Sequence, residues 1–277
     1  MVTTEVTTQS WFGRIRDSIK SFLFGIVLFI AAFPVLFLNE GRAVKTEKSL
    51  KEGAGAVISV SADRVDPAND QKLVHMTGRA NTTETLADAD FPVSANAVKL
   101  RRQVEMYQWE ESKESKTEKK VGGSTETKTT YSYSKKWSDH VVDSSSFKEA
   151  SEHQNPGSMP YQGQQQEAQK VTLGAFTLTP SLVGKMNEFE SLPVTDQHRE
   201  KLPAALQSKI KVNQGAFYMG GDPASPQIGD VRISFSVVLP SDVSVVSKQT
   251  SATFQPYRAS AGMDIEMLKR GAHTAKA

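Results

Sequence analysis

The sequence predicts an α+β protein that is mainly β, with an extracytoplasmic domain anchored in a membrane by one N-terminal helix. Residues 21–38 form an unbroken run of uncharged, mostly apolar side chains. Strand signals dominate the chain beyond this run, above all the alternation of polar and apolar residues from Val98 to Trp109. The 277 residues are 38% hydrophobic and 23% charged, which excludes a wholly disordered or collagen-like protein.

Residues 1–20 are predicted to be a short tail with an interfacial lead-in, and residues 21–38 a transmembrane helix. At ~1.5 Å per residue the run is roughly 27 Å long, close to the ~30 Å hydrocarbon core of a bilayer. Lipid offers no hydrogen-bond partner to the backbone, so the segment must be helical. A cleavable signal peptide is disfavoured because no small-x-small site follows the run. A buried globular helix is disfavoured because the run has no polar face.

The charges beside the span give a weak indication of its orientation. Basic residues lie on both sides of it, so the positive-inside rule is close to a tie. Long domains translocate largely regardless of charge, and the short tail therefore counts for more. We expect the N-terminal tail to be cytoplasmic and the large domain to be periplasmic or lumenal.

Asn39, Glu40, Gly41 and Arg42 follow the span and form a membrane-exit motif. In the structural interpretation, Gly41 caps the helix in a left-handed conformation and Arg42 lies near lipid phosphate. In the functional interpretation, Glu40 and Arg42 line a pore mouth or contact a neighbouring subunit.

Residues 39–258 are predicted to form the β-rich domain. Period-two alternation from Val98 to Trp109 predicts a long strand, and Glu111 to Lys128 is charged and predicts a solvated loop or hairpin tip. Thr129 to Val142 predicts the return strand, so that the aromatic faces of the two strands meet. Residues 259–277 are predicted to be a helix leading toward a missing C-terminal membrane region.

Five side chains on the long strand form a candidate interaction surface. Arginine and aromatic residues are enriched at the energetic centres of protein interfaces. The alternative is an ordinary sheet face whose aromatic residues pack on a neighbouring helix. The five residues are Arg101, Arg102, Glu105, Tyr107 and Trp109.

Charge, cysteine content and motifs exclude several classes of function. Lys and Arg total 33 against 31 Asp and Glu, so no basic excess points to a nucleic-acid partner. There is no cysteine, which excludes disulfides, thiolate metal sites and cysteine nucleophiles. No two of the five histidines are three or four residues apart, and no nucleotide-binding or hydrolase motif occurs. We expect no enzyme activity, no cofactor and no metal site.

Five sequence blocks resemble the LUMA family of multi-pass membrane proteins, also called the transmembrane protein 43 family. Their order and spacing cover most of residues 12–270. The blocks are Asn39-Glu40-Gly41-Arg42-Ala43, the run from Val98 to Trp109, Tyr131-Ser132-Tyr133 with Trp137, Asn155-Pro156 with Gly174-x-Phe176-x-Leu178, and Gly229-Asp230-Val231-Arg232-Ile233-Ser234-Phe235.

The resemblance implies one N-terminal helix, a large lumenal or extracytoplasmic domain and further membrane helices. This sequence ends before a second span, which we interpret as a C-terminally truncated member. The style of the sequence suggests a bacterial member, which would lie in the bacterial inner membrane. Animal relatives are associated with the inner nuclear membrane and endoplasmic reticulum.

The resemblance also implies a function without catalytic residues. It implies a self-associating scaffold that organises membrane protein complexes, as at the nuclear envelope in animals. Its partners would be the lipid bilayer, further copies of the chain as a homo-oligomer, and other membrane proteins. Two alternatives stay open: a channel or transport component that uses the C-terminal helices, and an extracytoplasmic ligand-binding domain.

Overall fold

A computed structural model describes residues 2–121 and 123–275. Met1, Gly122, Lys276 and Ala277 belong to the predicted tail, loop and C-terminal segment and lie outside the described residues. The helices are α1 Trp11–Ala56, α2 Pro180–Gly184, α3 Asp196–Glu200 and α4 Ala204–Gln207, with 3-10 turns at Pro67–Asn69 and Ser144–Ser146.

The remaining regular elements are strands, which confirms the predicted fold class of a mainly β protein with one long N-terminal helix. In chain order they are β1 Val2–Gln9, β2 Ile58–Ser59, β3 Leu73–Asn81, β4 Thr85–Ala87, β5 Ser94–Asn96, β6 Lys99–Lys119, β7 Thr125–Ser138, β8 Gln164–Glu167, β9 Thr172–Leu173, β10 Phe176–Thr177, β11 Glu190–Ser191, β12 Ile210–Asn213, β13 Ala216–Met219, β14 Val231–Val238, β15 Ser241–Thr250, β16 Thr253–Gln255, β17 Tyr257–Arg258, β18 Asp264–Ile265 and β19 Met267–Arg270.

Helix α1 is one uninterrupted element that contains the predicted lead-in, span and exit motif. None of its apolar stretch is buried in the protein. Among residues 2–121 and 123–275 it is the one helix long and apolar enough to cross a membrane, judged by length and composition.

The expected left-handed cap at Gly41 is wrong, because α1 continues through this residue to Ala56. The sequence after the span is rich in Ala, Lys and Glu, which favour helix. Lys51 donates a hydrogen bond to Glu47 one turn earlier, at 2.7 Å. A single exposed glycine costs a helix only about 1 kcal/mol relative to alanine, which is too little to end it here.

The chain folds into two compact units, of which the first contains Met1–Glu40, Glu105–Tyr161 and Gly220–Val231. Its strands have the order β1-β7-β6, and all are antiparallel. Strand β1 places residues of the predicted tail on the outer edge of β7, with a register from Val2 opposite Ser132 to Gln9 opposite Thr125.

The predicted long hairpin is confirmed, but the predicted solvated loop is wrong over most of its length. Strand β6 runs on to Lys119 and β7 begins at Thr125. This part of the ribbon is largely exposed, so its polar sequence carries no hydrophobic period. Cross-strand hydroxyl pairs support it instead, such as Thr117 with Thr127 at 2.8 Å and Ser115 with Thr129 at 3.0 Å.

The second unit contains Gly41–Val104, Gln162–Met219 and Arg232–Ala277. Strand β8 pairs with the start of β6, and further strands follow in the order β14-β13-β12 with β11 on β14. A second sheet has the order β10-β9-β3-β15-β16, with β2 and β19 attached to β3 and β15. Its buried side chains, such as Met76, Phe176 and Val245, form the main hydrophobic core.

The predicted helix in residues 259–277 is wrong, because the described part of this segment forms strands β18 and β19. Gly262 has a φ of 93°, which turns the chain back between β17 and β18. Leu268 lies opposite Val245 in the pairing of β19 with β15 and is buried. Burial on an existing sheet therefore overrides the helix-like spacing of the apolar residues.

Candidate interaction surface

Arg102 is buried rather than displayed. Its Nη1 lies 2.6 Å from Asp88 Oδ1 and 2.7 Å from Asp90 Oδ2, and its Nε donates to the Gln162 carbonyl at 3.0 Å. The side chains of Arg102 and Asp88 are only 5% and 3% exposed. A buried charge requires paired partners of this kind. Arg102 therefore stabilises the fold of the second unit.

Arg101 projects from the opposite face of β6, as successive strand residues do. Its guanidinium carbon lies 3.9 Å from the centre of the Phe189 ring, and its Nε donates to Ser236 Oγ at 3.1 Å. The side chain is half-buried. Arg101 therefore packs within its own unit, as on an ordinary sheet face, but its partner Phe189 lies outside the helices.

Tyr107 and Trp109 belong to a row of side chains on one face of the first unit, which we call the cross-strand ladder. Each rung joins an aromatic residue to an aromatic or charged residue directly opposite. The rungs are Tyr107–Trp137, Trp109–Lys135, Glu111–Tyr133 and Lys113–Tyr131.

The rungs of the ladder are in contact. The rings of Tyr107 and Trp137 are 5.2 Å apart between centres, and Lys135 Nζ lies 4.7 Å from the centre of the Trp109 ring. The predicted meeting of aromatic faces across the hairpin is thus confirmed. Glu105 shares this face and is half-buried, but it stands before the first rung.

Asn155 fixes the backbone of Trp109. The Trp109 N–H donates to Asn155 Oδ1 at 2.7 Å, and Asn155 Nδ2 donates to the Trp109 carbonyl at 2.9 Å. The same amide nitrogen also donates to the Val142 carbonyl at 3.2 Å. The carboxamide takes the place of a neighbouring strand at this point on β6. Sequence reasoning assigned Asn155 only to a turn and to a family block.

His153 covers the centre of the ladder. Its ring stacks on Tyr133 with 3.7 Å between ring centres and meets Trp109 edge-on at 4.7 Å. The side chain is only 4% exposed. No motif in the sequence singles out this residue, because its partners are distant in the chain. Lys113 and Lys135 are the exposed members of the ladder, and Tyr107 and Trp137 are half-buried.

Tyr133 remains a protonated hydrogen-bond donor at neutral pH. Burial, followed by its hydrogen bond to Glu111, raises the pKa of Tyr133 to about 12. Its hydroxyl donates to Glu111 Oε2 at 2.8 Å and accepts from the Glu149 N–H at 3.0 Å. These bonds join the hairpin to the segment that carries His153.

Strand β1 is attached to the same region by polar contacts. Glu5 accepts from Lys148 Nζ at 3.0 Å and from the Tyr131 hydroxyl at 3.2 Å. The hydrogen bond and charge of Lys148 hold the pKa of the Glu5 carboxyl below its usual range. The Thr3 hydroxyl donates to Glu149.

The four residues of the membrane-exit motif all lie on the surface of α1. Asn39, Glu40, Gly41 and Arg42 are exposed. Their contact with lipid or with a neighbouring subunit stays a prediction.

Comparison with known proteins identifies the family. The family model described as transmembrane protein 43 matches residues 106–277. The chain belongs to the transmembrane protein 43 family. This confirms the resemblance to the LUMA family, and together with helix α1 it makes the chain an integral membrane protein.

Curated members of the family align over nearly the whole chain. Transmembrane protein 43 of Mus musculus is 33% identical over 274 residues, which cover 95% of this chain and 67% of the mouse protein. The Homo sapiens protein is 32% identical over the same shares. The homolog of Drosophila melanogaster is 33% identical over 90% of this chain and 66% of its own length. No solved structure matches the chain.

Proposed function

We propose that the chain is a non-enzymatic membrane scaffold that binds further copies of itself and other membrane proteins. The observation that supports this is the cross-strand ladder, which presents Tyr107, Trp137 and Lys135 on the face of a long hairpin. Such a ribbon offers an extended surface. Tyrosine and tryptophan are the residue types that most often carry the energy of protein interfaces.

The ladder is held in a fixed arrangement before any partner arrives. The Asn155 carboxamide bonds both backbone groups of Trp109, and His153 stacks on Tyr133. Immobilising a flexible side chain at an interface costs about 0.5–1.5 kcal/mol, and a preorganised surface avoids part of that cost. This favours a binding role for the ladder.

The proposal includes a location. The short basic tail supports a cytoplasmic N-terminus, with the β-rich domain on the periplasmic or lumenal side. The family resemblance extends this to the inner nuclear membrane and endoplasmic reticulum for the animal relatives.

The experiment that tests the scaffold is the native mass of the chain in mild detergent, with mass spectrometry of copurifying proteins. We expect a discrete homo-oligomer or a specific membrane partner. Trp137→Ala with Lys135→Ala should reduce partner recovery about ten-fold, corresponding to about 1.4 kcal/mol. The matched control is Lys116→Ala with Glu118→Ala, farther along the ribbon. A clean monomer without partners contradicts the proposal.

An apolar cavity supports ligand binding as a second candidate function. It measures about 350 Å³ and lies in the second unit, between the last turns of α1 and strands β3, β15, β18 and β19. Small-molecule sites have volumes of roughly 300–1,000 Å³. Ala54→Phe should fill the cavity and abolish binding of an apolar fluorescent probe, whereas Lys48→Phe on the same helix should not. The lining residues are Leu50, Gly53, Ala54, Val57, Leu73, Val246, Ile265, Met267 and Ala275.

A further inference from the structure

Strand β1 and strand β7 lie on either side of α1 in the sequence, yet they pair along eight residues of each. A helix that crosses a bilayer places the residues before and after it on opposite sides. Within residues 2–121 and 123–275, α1 is the one helix long and apolar enough to cross. No second helical crossing in the described chain therefore returns β7 to the side of β1.

The hairpin tip also cannot reach β1 through the bilayer. The distal half of β6 carries Lys113, Glu114, Lys116, Glu118 and Lys119. Charged side chains are strongly disfavoured in hydrocarbon. Pairing of β1 with β7 and crossing by α1 therefore exclude each other within one chain.

The side-chain contacts that hold β1 on β7 are weak. Besides its backbone pairing, the strand depends on Glu5 with Lys148 and Tyr131, and on Thr3 with Glu149. Glu5 and Lys148 are 40% and 41% exposed, and ion pairs so exposed contribute little to stability. Insertion of the apolar run of α1 into lipid removes β1 and leaves the outer edge of β7 open.

An open edge of eight residues presents unpaired backbone N–H and carbonyl groups, which recruit another strand. The two outer edges of the hairpin differ in this respect. The distal β6 edge carries alternating lysine and glutamate residues, which discourage strand addition. In the β7 edge from Thr125 to Ser132, Glu126 and Lys128 are the charged residues, and the other six are Thr, Tyr and Ser.

The β7 edge is complementary to itself. Two copies set antiparallel about Thr127 place Glu126 of each chain opposite Lys128 of the other. The same register places Thr125 opposite Thr129. Opposite charges and threonine pairs facing each other across strands are stabilising. The pairing with β1 shows that this edge accepts a threonine-rich strand along its full length.

We propose that the edge Thr125–Thr129 of β7 joins two copies of the membrane-inserted chain, and that β1 covers it only before α1 has crossed. This inference rests on the proposed self-association and names its site. The two-fold axis between the two edges is perpendicular to the plane of the sheet, so both copies fit one bilayer when the face of the sheet is parallel to its surface.

Cysteine cross-linking of the full chain tests the site, because the natural sequence has no cysteine. Thr127→Cys in phosphatidylcholine vesicles should give a disulfide-linked dimer on mild oxidation, since facing residues of paired strands lie within disulfide range. The matched control is Thr117→Cys, which faces Thr127 within the hairpin but lies on β6. It should dimerise at least ten-fold less.

A second pair of cysteines reports on β1. Thr4 and Thr130 face each other in the register, so Thr4→Cys with Thr130→Cys should close a disulfide within one chain synthesised without membranes. In vesicles that disulfide should be lost. If it forms equally in both conditions, β1 stays on β7 in the membrane and the inference is wrong.

A charge exchange separates this inference from the scaffold proposal. Glu126→Lys should reduce the Thr127→Cys dimer about ten-fold, and Glu126→Lys with Lys128→Glu should restore it. An oligomer of unchanged native mass that neither cross-links at residue 127 nor responds to these charges overturns the β7 site and leaves the scaffold intact. A monomeric native mass overturns both.

Discussion

At the scale of single residues, the neighbouring arginines of β6 differ in their surroundings and in their contribution to stability. Arg101 and Arg102 differ in burial because a strand sends successive residues to opposite faces. The predicted surface included both arginines, although alternation places Arg102 with Val98, Leu100 and Val104 on the apolar face. The sequence did not predict its carboxylate partners, because Asp88 and Asp90 lie outside the strand that carries Arg102.

The buried ion pair gives the first prediction. Arg102→Ala leaves the Asp88 carboxylate buried without its cation, so the free energy of unfolding should fall by about 3–5 kcal/mol. Arg101→Ala is the matched control, and it should cost about 1 kcal/mol through one hydrogen bond and one ring contact. Urea unfolding of the full chain in mild detergent measures both. Equal effects would contradict the difference in burial.

The second prediction concerns Tyr133 at high pH. Its pKa is about 12 in the folded chain and about 10 in the unfolded chain. A raised pKa contributes stability that is complete below pH 10 and disappears as the pH rises toward 12. Urea midpoints should therefore fall over this interval, and should fall less in Tyr133→Phe than in the control Tyr161→Phe. Identical pH profiles for the two variants would show that the pKa of Tyr133 is not raised in the folded chain.

At the scale of elements, the sequence predicted the helix and strand that a local periodicity marks. It missed the strands that form only by pairing with segments distant in the chain. The run at residues 21–38 and the alternation from Val98 to Trp109 were enough to place α1 and the buried part of β6. The distal hairpin has polar side chains on both faces, and so no period marks it as strand. Strand β1 forms only on β7, more than a hundred residues away.

The candidate site was predictable to the same extent. Tyr107 and Trp109 follow from alternation, and so does their meeting with the return strand. Asn155 and His153 reach the ladder from a separate segment, through contacts 46 residues apart for Asn155 with Trp109. A single sequence has no signal for such contacts, because the side chains involved are common polar types in a polar stretch.

Two glycines of α1 give the third prediction. Gly41 is helical and a methyl group there meets nothing within 4 Å, so Gly41→Ala should stabilise the helix by about 0.5–1 kcal/mol. At Gly53 the added carbon would lie 2.6 Å from Ile265 Cδ1, the end of a side chain that must then turn away, so Gly53→Ala should gain less stability than Gly41→Ala. Thermal unfolding followed by circular dichroism compares them. Loss of stability in Gly41→Ala would instead support the left-handed cap that the sequence predicted at Gly41.

At the scale of the whole molecule, one helix connects a short tail to a β-rich protein of two units. The apolar stretch of α1 is not buried by residues 2–121 and 123–275, and its length and composition suit a bilayer. In the proposed topology, crossing by α1 places the tail and the domain on opposite sides of the membrane. The family alignment places this arrangement within a larger protein in the relatives.

The fourth prediction is the sidedness of the chain. Thr7→Cys should react with a membrane-impermeant maleimide from the cytoplasmic face of sealed vesicles only, and Ser158→Cys from the opposite face only. The wild-type chain is an unlabelled background because it has no cysteine. Labelling of both positions from one face would mean that α1 does not cross, whereas an exchange of the two faces would mean that the proposed orientation is reversed.

The carboxamide of Asn155 also limits how far such molecules can polymerise. A β7 edge added to the β6 edge of the next copy would repeat head to tail and grow into an open filament. Asn155 already occupies the outward backbone groups of Trp109, and Asp230 and Gly229 occupy those of Tyr107. Beyond Trp109, only the charged distal half of β6 has an outer edge to which another strand could be added. Because its alternating charges discourage strand addition, the proposed β7 contact would end growth through strand edges at a symmetric pair.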